Sequence, residues 1–527
     1  MEAVSTRLGL YATQRYRWLR ENVLSFALCV LLGVLLPLIV NFWMVSNPFL
    51  VLSVVRFIVV GVVLLAVFQF VSADAPWFVR AIMSVVLGQA ILNYGFSNMV
   101  VGSGGAKVTL AELSVFLGLV FLLPRTISVL RQIPAFWACV VAMLVPVAVH
   151  LHGDVQRHGM AAIRDVLSVV DLIYFIGGLS VTVYGLSQGK WVAWRNRLLT
   201  LWIIMGVLYG LLSPIAPYIR ALSPGFQSYQ QTVPILGHML TAAFNSALAI
   251  VAWFALPHVF PQRAWLRYPF VVLLTVDALI TVAVAQSRNF YAIFLGLPLA
   301  LAYFGYRKAF VSTMVGVVLL IVGLGMVELF GIKIPGRINE VTLTAMIDRA
   351  MTLSGKHGDE AGAHGVNQRL DWWAYSLDKW SASPETILFG VGYGQALTNF
   401  SSPGGDYGEG VLVREPHNSA VSSLSRGGLV YFCLWAYIVL LPFVSAAKGA
   451  RRAAMSASEN GHYKGVATWT VMLMGMFLLT SLSEPNFETP SIAAMYYFVA
   501  GMALVESMVV TGKLRVPVQT QALRSRV

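Results

Sequence analysis

Long apolar runs, each about the length that crosses a bilayer and joined by short polar links, set the pattern of this chain. Fourteen of them predict helices, at 23–43, 49–71, 78–96, 108–123, 135–149, 166–186, 198–217, 233–256, 268–285, 290–304, 310–330, 427–444, 466–482 and 492–510. The fifth and tenth are short for a crossing, so the expected number of spans runs from twelve to fourteen. One polar stretch, 331–426, interrupts the pattern. Within it, 338–353 carries apolar residues at helical spacing between charges, as a helix lying on a membrane surface does. The glycine- and histidine-rich 354–365 reads as a loop, and 367–380 predicts a helix with Leu370, Trp373, Ala374 and Leu377 on one face. Gly390-Val391-Gly392-Tyr393-Gly394 then forms a turn whose glycine spacing alone is weak evidence for phosphate binding. The chain thus divides into a bundle of about eleven helices (1–330), a polar segment (331–426) and about three closing helices with a tail (427–527).

Composition agrees with an all-α polytopic membrane protein. Apolar residues make up 58% of 527 and charged residues 11%, with a mean hydropathy of +0.74, which excludes an ordinary soluble domain. If the N-terminus is cytoplasmic, successive inner loops receive Arg125 and Arg131, then Lys190, Arg195 and Arg197, then Arg263 and Arg267, then Arg307 and Lys308. Lys448, Arg451, Arg452, Lys464 and the tail residues Lys513, Arg515, Arg524 and Arg526 fall on the same side. Both termini are therefore expected inside and 331–426 outside. The net charge of +13 then faces an anionic leaflet, and basic residues scattered over short loops argue against nucleic acid. Arg15, Arg17 and Arg20 precede a long apolar run with no small-residue cleavage site, which predicts an uncleaved anchor. Cys29, Cys139 and Cys433 lie in apolar segments without metal or disulfide spacing.

Three polar stretches stand out in the second half. They are Gln286-Ser287-Arg288 at a helix end, Asn367-Gln368-Arg369-Leu370-Asp371-Trp372-Trp373 with the glycine turn, and Pro416-His417-Asn418-Ser419 running into Ser425-Arg426-Gly427-Gly428. In this order around one outer loop they resemble the bacterial O-antigen ligase and polysaccharide polymerase superfamily. The resemblance implies a helical membrane glycosyltransferase of the inner membrane, independent of metal and cofactor, with its active site at the periplasmic face. Its donor would be a glycan on undecaprenyl diphosphate, a polyprenyl diphosphate carrier. The acceptor would be a hydroxyl of another carrier-linked glycan in a polymerase, where a chain-length regulator is an expected partner, or of lipid A core in a ligase. Fourteen helices exceed the twelve associated with the ligases, which tilts the expectation towards an O-antigen or exopolysaccharide polymerase.

Such a reaction needs a proton acceptor for the hydroxyl and cations for the departing diphosphate. His417, ahead of the helix-capping Asn418 and an apolar run, is the expected base, and Glu415 beside it would orient the ring or replace it. Arg288 and Arg369 are the expected phosphate ligands, because a guanidinium stays charged and grips oxygens two at a time. Arg220, Arg414, Asn418, Arg164, Asp171 and His238 are ranked below them as substrate contacts, with His238 placed about a turn inside its helix. Glu484 and Glu488, in a turn on the same side, would bind acceptor hydroxyls. Arg56, Glu112, Asp277 and Glu328 are ionisable groups within apolar runs, with Asp277 expected to be a structural partner. The sequence contains no Asp-x-Asp motif for a metal-bound nucleotide sugar. Two bland readings compete: a lipid-linked-oligosaccharide flippase, disfavoured by the single large loop, and a membrane scaffold, which leaves Arg288, Arg369 and His417 without a purpose.

Overall fold

The computed structural model describes residues 71, 74–97, 100–101, 108–213, 225–228, 231–234, 238–260, 263–334, 336–337, 340–351, 360–403, 409–455 and 461–517. These residues are mostly helical, with connecting turns and short antiparallel hairpins such as Gly225–Ser228 with Gln231–Pro234. Nine of the described helices are long and apolar enough to cross a membrane, and Trp77–Asn93 and Met239–Ala255 are shorter apolar helices. The runs at 23–43 and 49–71 lie outside the described residues except for Val71, and Arg56 with them.

The helices are α1 (Trp77–Ser97), α2 (Leu110–Leu130), α3 (Pro134–Pro146), α4 (His152–His158), α5 (Met160–Val170), α6 (Ile173–Ser187), α7 (Trp191–Leu212) and α8 (Met239–Ala255). They continue as α9 (Ala264–Ala285), α10 (Arg288–Tyr303), α11 (Arg307–Leu329), α12 (Leu343–Met351), α13 (Glu360–Ser381), α14 (Pro384–Phe389), α15 (Ser419–Met455), α16 (Gly461–Ser481) and α17 (Pro490–Val510). Several expected boundaries move. A π-helical stretch, Val147–Leu151, joins α3 to α4, so the short run at 135–149 is part of one piece reaching His158. Gly159, at φ 59°, breaks that piece before α5. The helix expected from 233 starts at Met239, because Gln231–Pro234 pairs as a strand instead. The helix expected from 367 begins at Glu360, so part of the expected loop is helical.

Small residues decide how closely the central helices approach. A β-carbon on Gly178 of α6 would collide with the Phe498 carbonyl of α17, and one on Gly501 would collide with the Phe175 carbonyl. The two backbones touch through these glycines, the packing that works where lipid removes any hydrophobic advantage of helix contact. Outer helices show the reverse distribution. On α11, Val311, Val315 and Val322 are 63%, 54% and 57% exposed. An apolar outer surface on an apolar bundle is what a bilayer solvates.

Charges within the bundle have identifiable local roles. Glu112 closes a capping box at the start of α2: its backbone N–H donates to Thr109 Oγ1 at 3.1 Å, and its carboxylate accepts from Thr109 N–H at 3.3 Å. Glu328 accepts from the Thr344 hydroxyl at 2.7 Å and so ties α11 to α12. Asp277 is fully buried against Gly210, where a β-carbon would overlap its carboxylate. One end of the bundle carries a group of basic residues. Asp74 meets Arg197 at 2.6 Å and Lys190 at 3.9 Å, Arg195 pairs with Glu506 at 2.6 Å, and Arg451 and Lys464 lie over Tyr303 and Tyr306. Helices α12, α13 and α14 lie at the opposite end, where α15 begins.

Candidate functional site

His417 sits at a junction built by two hydrogen-bonded turns. Asn418 caps α15, its Oδ1 accepting from the N–H groups of Ala420 at 3.0 Å and Val421 at 3.2 Å. Its amide nitrogen donates to the Leu482 carbonyl at 3.1 Å, and Ser419 donates to Glu488 at 2.7 Å. The start of α15 is thereby fastened to the turn between α16 and α17. His417, just outside the cap, has φ 53°, a left-handed conformation that costs a non-glycine residue roughly 1 kcal/mol. Strain of this kind persists where neighbours over-determine a position, and it concentrates at functional sites. Helix α13 supplies two of those neighbours. The Trp372 ring lies 5.4 Å from the imidazole, and Trp373 donates to the Pro416 carbonyl at 2.8 Å.

The turn delivers Glu484 to this histidine. Oε2 lies 3.4 Å from His417 Nδ1, and Oε1 accepts from Arg369 at 3.2 Å. Burial raises the Glu484 carboxyl, but the hydrogen bond with His417 and the charges of Arg369 and Arg337 outweigh it and hold it below the usual range. An ionised carboxylate can only accept, so Nδ1 of a neutral His417 carries the hydrogen and Nε2 keeps its lone pair. The imidazole is thereby oriented as a base by a carboxylate, an arrangement that recurs where hydroxyl groups are activated. The side chains of His417, Glu484 and Arg369 are 20%, 31% and 27% exposed, enough for a ligand to reach them.

Other elements converge on the same place. Arg288 opens α10, and its neighbour Asn289 donates to Ser483 at 2.6 Å, next to Glu484. Arg337 interacts electrostatically with both Glu484 and His238. His238 is the N-cap of α8, not a residue within it, because the chain before it is a hairpin. Its Nδ1 accepts from Thr241 N–H at 3.3 Å and lies 2.7 Å from the Thr241 hydroxyl. Burial, helped by Arg337 and opposed by Glu484, pushes its pKa down to about 4, so it is neutral at pH 7.

A second cluster lies beside the first and has a different character. Asp165 of α5 accepts from Arg164 at 3.0 Å, from Arg414 at 2.7 Å and from the Gly394 N–H at 3.0 Å, and lies 3.3 Å from Arg426. Arg426 also meets Glu415 at 2.5 Å, and the other Glu415 oxygen accepts from Ser422 at 2.6 Å. Glu415 therefore serves Arg426 rather than the His417 ring, and Arg414 and Arg164 are held on Asp165. The glycine turn is likewise occupied. Tyr393 N–H donates to Asp154 at 2.7 Å, Val391 N–H to the Ser425 carbonyl at 2.8 Å, and Gly392 N–H to the Arg426 carbonyl at 3.1 Å. These amides are not a phosphate cradle, because protein carboxylates and carbonyls already fill them. Its glycines are needed where two chain segments cross. Gly390 and Gly428 have φ 86° and 66°, and a β-carbon on either would collide with the segment carrying the other.

The remaining expected residues separate. Asp171 is fully buried within the bundle, interacting with Glu112, and borders no groove. Arg220 lies outside the described residues. Glu488 borders a cavity of about 10 Å³ together with Tyr393, Arg426 and Tyr497, room for about one water. Burial and the charge of Glu415 push its carboxyl up to about 7. Among the described residues no three His, Cys, Asp or Glu side chains gather to hold a metal ion. Arg337 was not singled out in the sequence, since no periodic pattern surrounds it. The pairing of Glu484 with His417 was also missed, because it joins residues 67 apart. Compared with models of known protein families and with curated proteins, the chain matches none.

Proposed function

We propose that this membrane protein is a glycosyltransferase acting at the outer face of a bacterial inner membrane, with both termini in the cytoplasm. It takes a glycan from a polyprenyl diphosphate and passes it to a hydroxyl of a second glycan, most readily as an O-antigen or exopolysaccharide polymerase. The observation that carries the reading is the strained His417, oriented by Glu484 and accompanied by the charges of Arg369 and Arg337, at one end of an apolar bundle where Arg288 opens α10. A lipid-borne diphosphate reaches such a place by lateral diffusion.

The chemistry follows from those groups. His417 Nε2 takes the proton of the acceptor hydroxyl as its oxygen attacks the anomeric carbon. The carbon–oxygen bond to the diphosphate breaks, with inversion, and the electron pair leaves on the phosphate oxygen. Glu484 stabilises the imidazolium that forms, and the arginines stabilise the departing charge. In this reading Glu484 positions the base, where the sequence suggested a contact to sugar. The test is reconstitution of the purified protein with lipid-linked oligosaccharide from the source cells as the sole glycan. A ladder of products that disappears with His417→Ala supports a polymerase. Transfer only after addition of lipid A core makes it a ligase, and absence of transfer in both assays overturns the reading.

A further inference from the structure

The end of the bundle opposite His417 carries a cavity of about 340 Å³ between α3, α15 and α17. Lys448, Arg452 and Lys513 line it, and no acidic residue does. Among the described residues none of the three pairs with a carboxylate, although Asp74 and Glu506 at this end neutralise other basic residues. The first turn of α3 opens on the same space through Ile133, Pro134 and Ala135. Ile133, its N-cap, offers no side chain to the helix amides, and Pro134 has no amide hydrogen, so the positive end of the helix is uncapped there. The inner wall is apolar: Ile133 and Leu504 are almost fully buried, with Leu441 and Met508 beside them. Trp137 marks the depth. It is 48% exposed in the next part of α3 and donates to the Arg131 carbonyl at 3.2 Å, as tryptophans do at the level of lipid headgroups.

We infer that this cavity binds the headgroup of an anionic phospholipid from the adjoining leaflet, with an acyl chain along the Leu441, Leu504 and Met508 wall. Three cations and a helix N-terminus more than offset the single charge of a phosphodiester. The apolar wall continues into the bilayer, which a free anion would not use. The site is independent of the glycosyltransferase reading, since it shares no residue with the His417 cluster.

Native mass spectrometry of the full-length protein in neutral detergent tests the inference, with phosphatidylglycerol and phosphatidylcholine titrated separately. Phosphatidylglycerol is expected to bind preferentially. Each of Lys448→Gln, Arg452→Gln and Lys513→Gln should weaken it roughly five-fold, and the triple variant about a hundredfold, from the usual value of one basic residue near a lipid phosphate. Phosphatidylcholine binding should stay unchanged in every variant, which reports that the fold is intact. Equal binding of the two lipids, or undiminished phosphatidylglycerol binding by the triple variant, overturns the inference. Displacement of the lipid by millimolar inorganic phosphate would also overturn it, identifying a site for a free anion.

Discussion

In the proposed reaction His417 and Glu484 divide one task between them, and each predicts a distinct loss. His417→Ala is expected to lower turnover by about 10²–10⁴-fold in the reconstituted transfer assay, the usual worth of a positioned base. Its melting temperature should change little, because the cap that fastens α15 is made by Asn418, and only the Trp372 ring contact and the Glu484 hydrogen bond are lost. Glu484→Gln keeps the size of the side chain and removes the charge that orients the ring. It should lower kcat with little change in KM at every pH from 6 to 9. The native carboxylate, held below its ordinary range, is already ionised throughout that window. Glu488 behaves oppositely. Its carboxyl is raised from 4.5 to about 7 by burial and by Glu415, so the folded protein binds this proton more tightly than the unfolded chain. The stability it contributes is complete below pH 4.5 and is lost as pH rises through about 7. Glu488→Gln, which mimics the protonated form and can still accept from Ser419, should flatten that decline. It should raise the melting temperature at pH 8 by roughly 2 °C, read by thermal unfolding in detergent.

At the scale of elements, the crossing of the glycine turn over α15 is the sharpest constraint. Gly428→Ala places a β-carbon against Gly390 N and the Leu388 carbonyl, both backbone atoms that cannot swing aside. It is expected to cost about 3 kcal/mol or more, combining strain and overlap, and to yield little monodisperse protein. Gly189→Ala at φ 66° meets nothing within 4 Å and should cost only about 1 kcal/mol by the same thermal measurement. Apolar runs of helical length announced these helices in the sequence, and the described spans fall where the runs do. Their ends were less legible. The start of α8 moved because Gln231–Pro234 pairs as a strand, which an apolar run conceals, and α3 continued through a π-helical turn that no residue announces. The candidate site was legible as a set of residue types near one loop. Partners were not, because Glu484, Asp165 and Asp154 reach their targets across the fold, at separations that no local pattern encodes.

For the whole molecule, the separation of the end carrying Lys448 and Lys513 from the His417 end makes orientation measurable. In a cysteine-free background, Asp378→Cys on the exposed face of α13 should react with a membrane-impermeant maleimide in cells with a permeable outer membrane. Arg515→Cys should react only after the inner membrane is opened. The reverse pattern would invert the orientation and place the proposed site in the cytoplasm. Asp165, at the centre of the three arginines, has one more consequence, which concerns synthesis. Arg414 lies 249 residues after it in the chain. At about 5–20 residues per second, the ribosome adds that length in some tens of seconds. During that time the half-built bundle holds an acidic group with Arg164 alone beside it, while two of its three counter-ions do not yet exist. The last quarter of the chain thus acts as the key that locks the earlier helices. A chain cut short before Arg414 would carry a carboxylate matched by Arg164 alone, a mark of incompleteness legible to the proteases that survey the membrane.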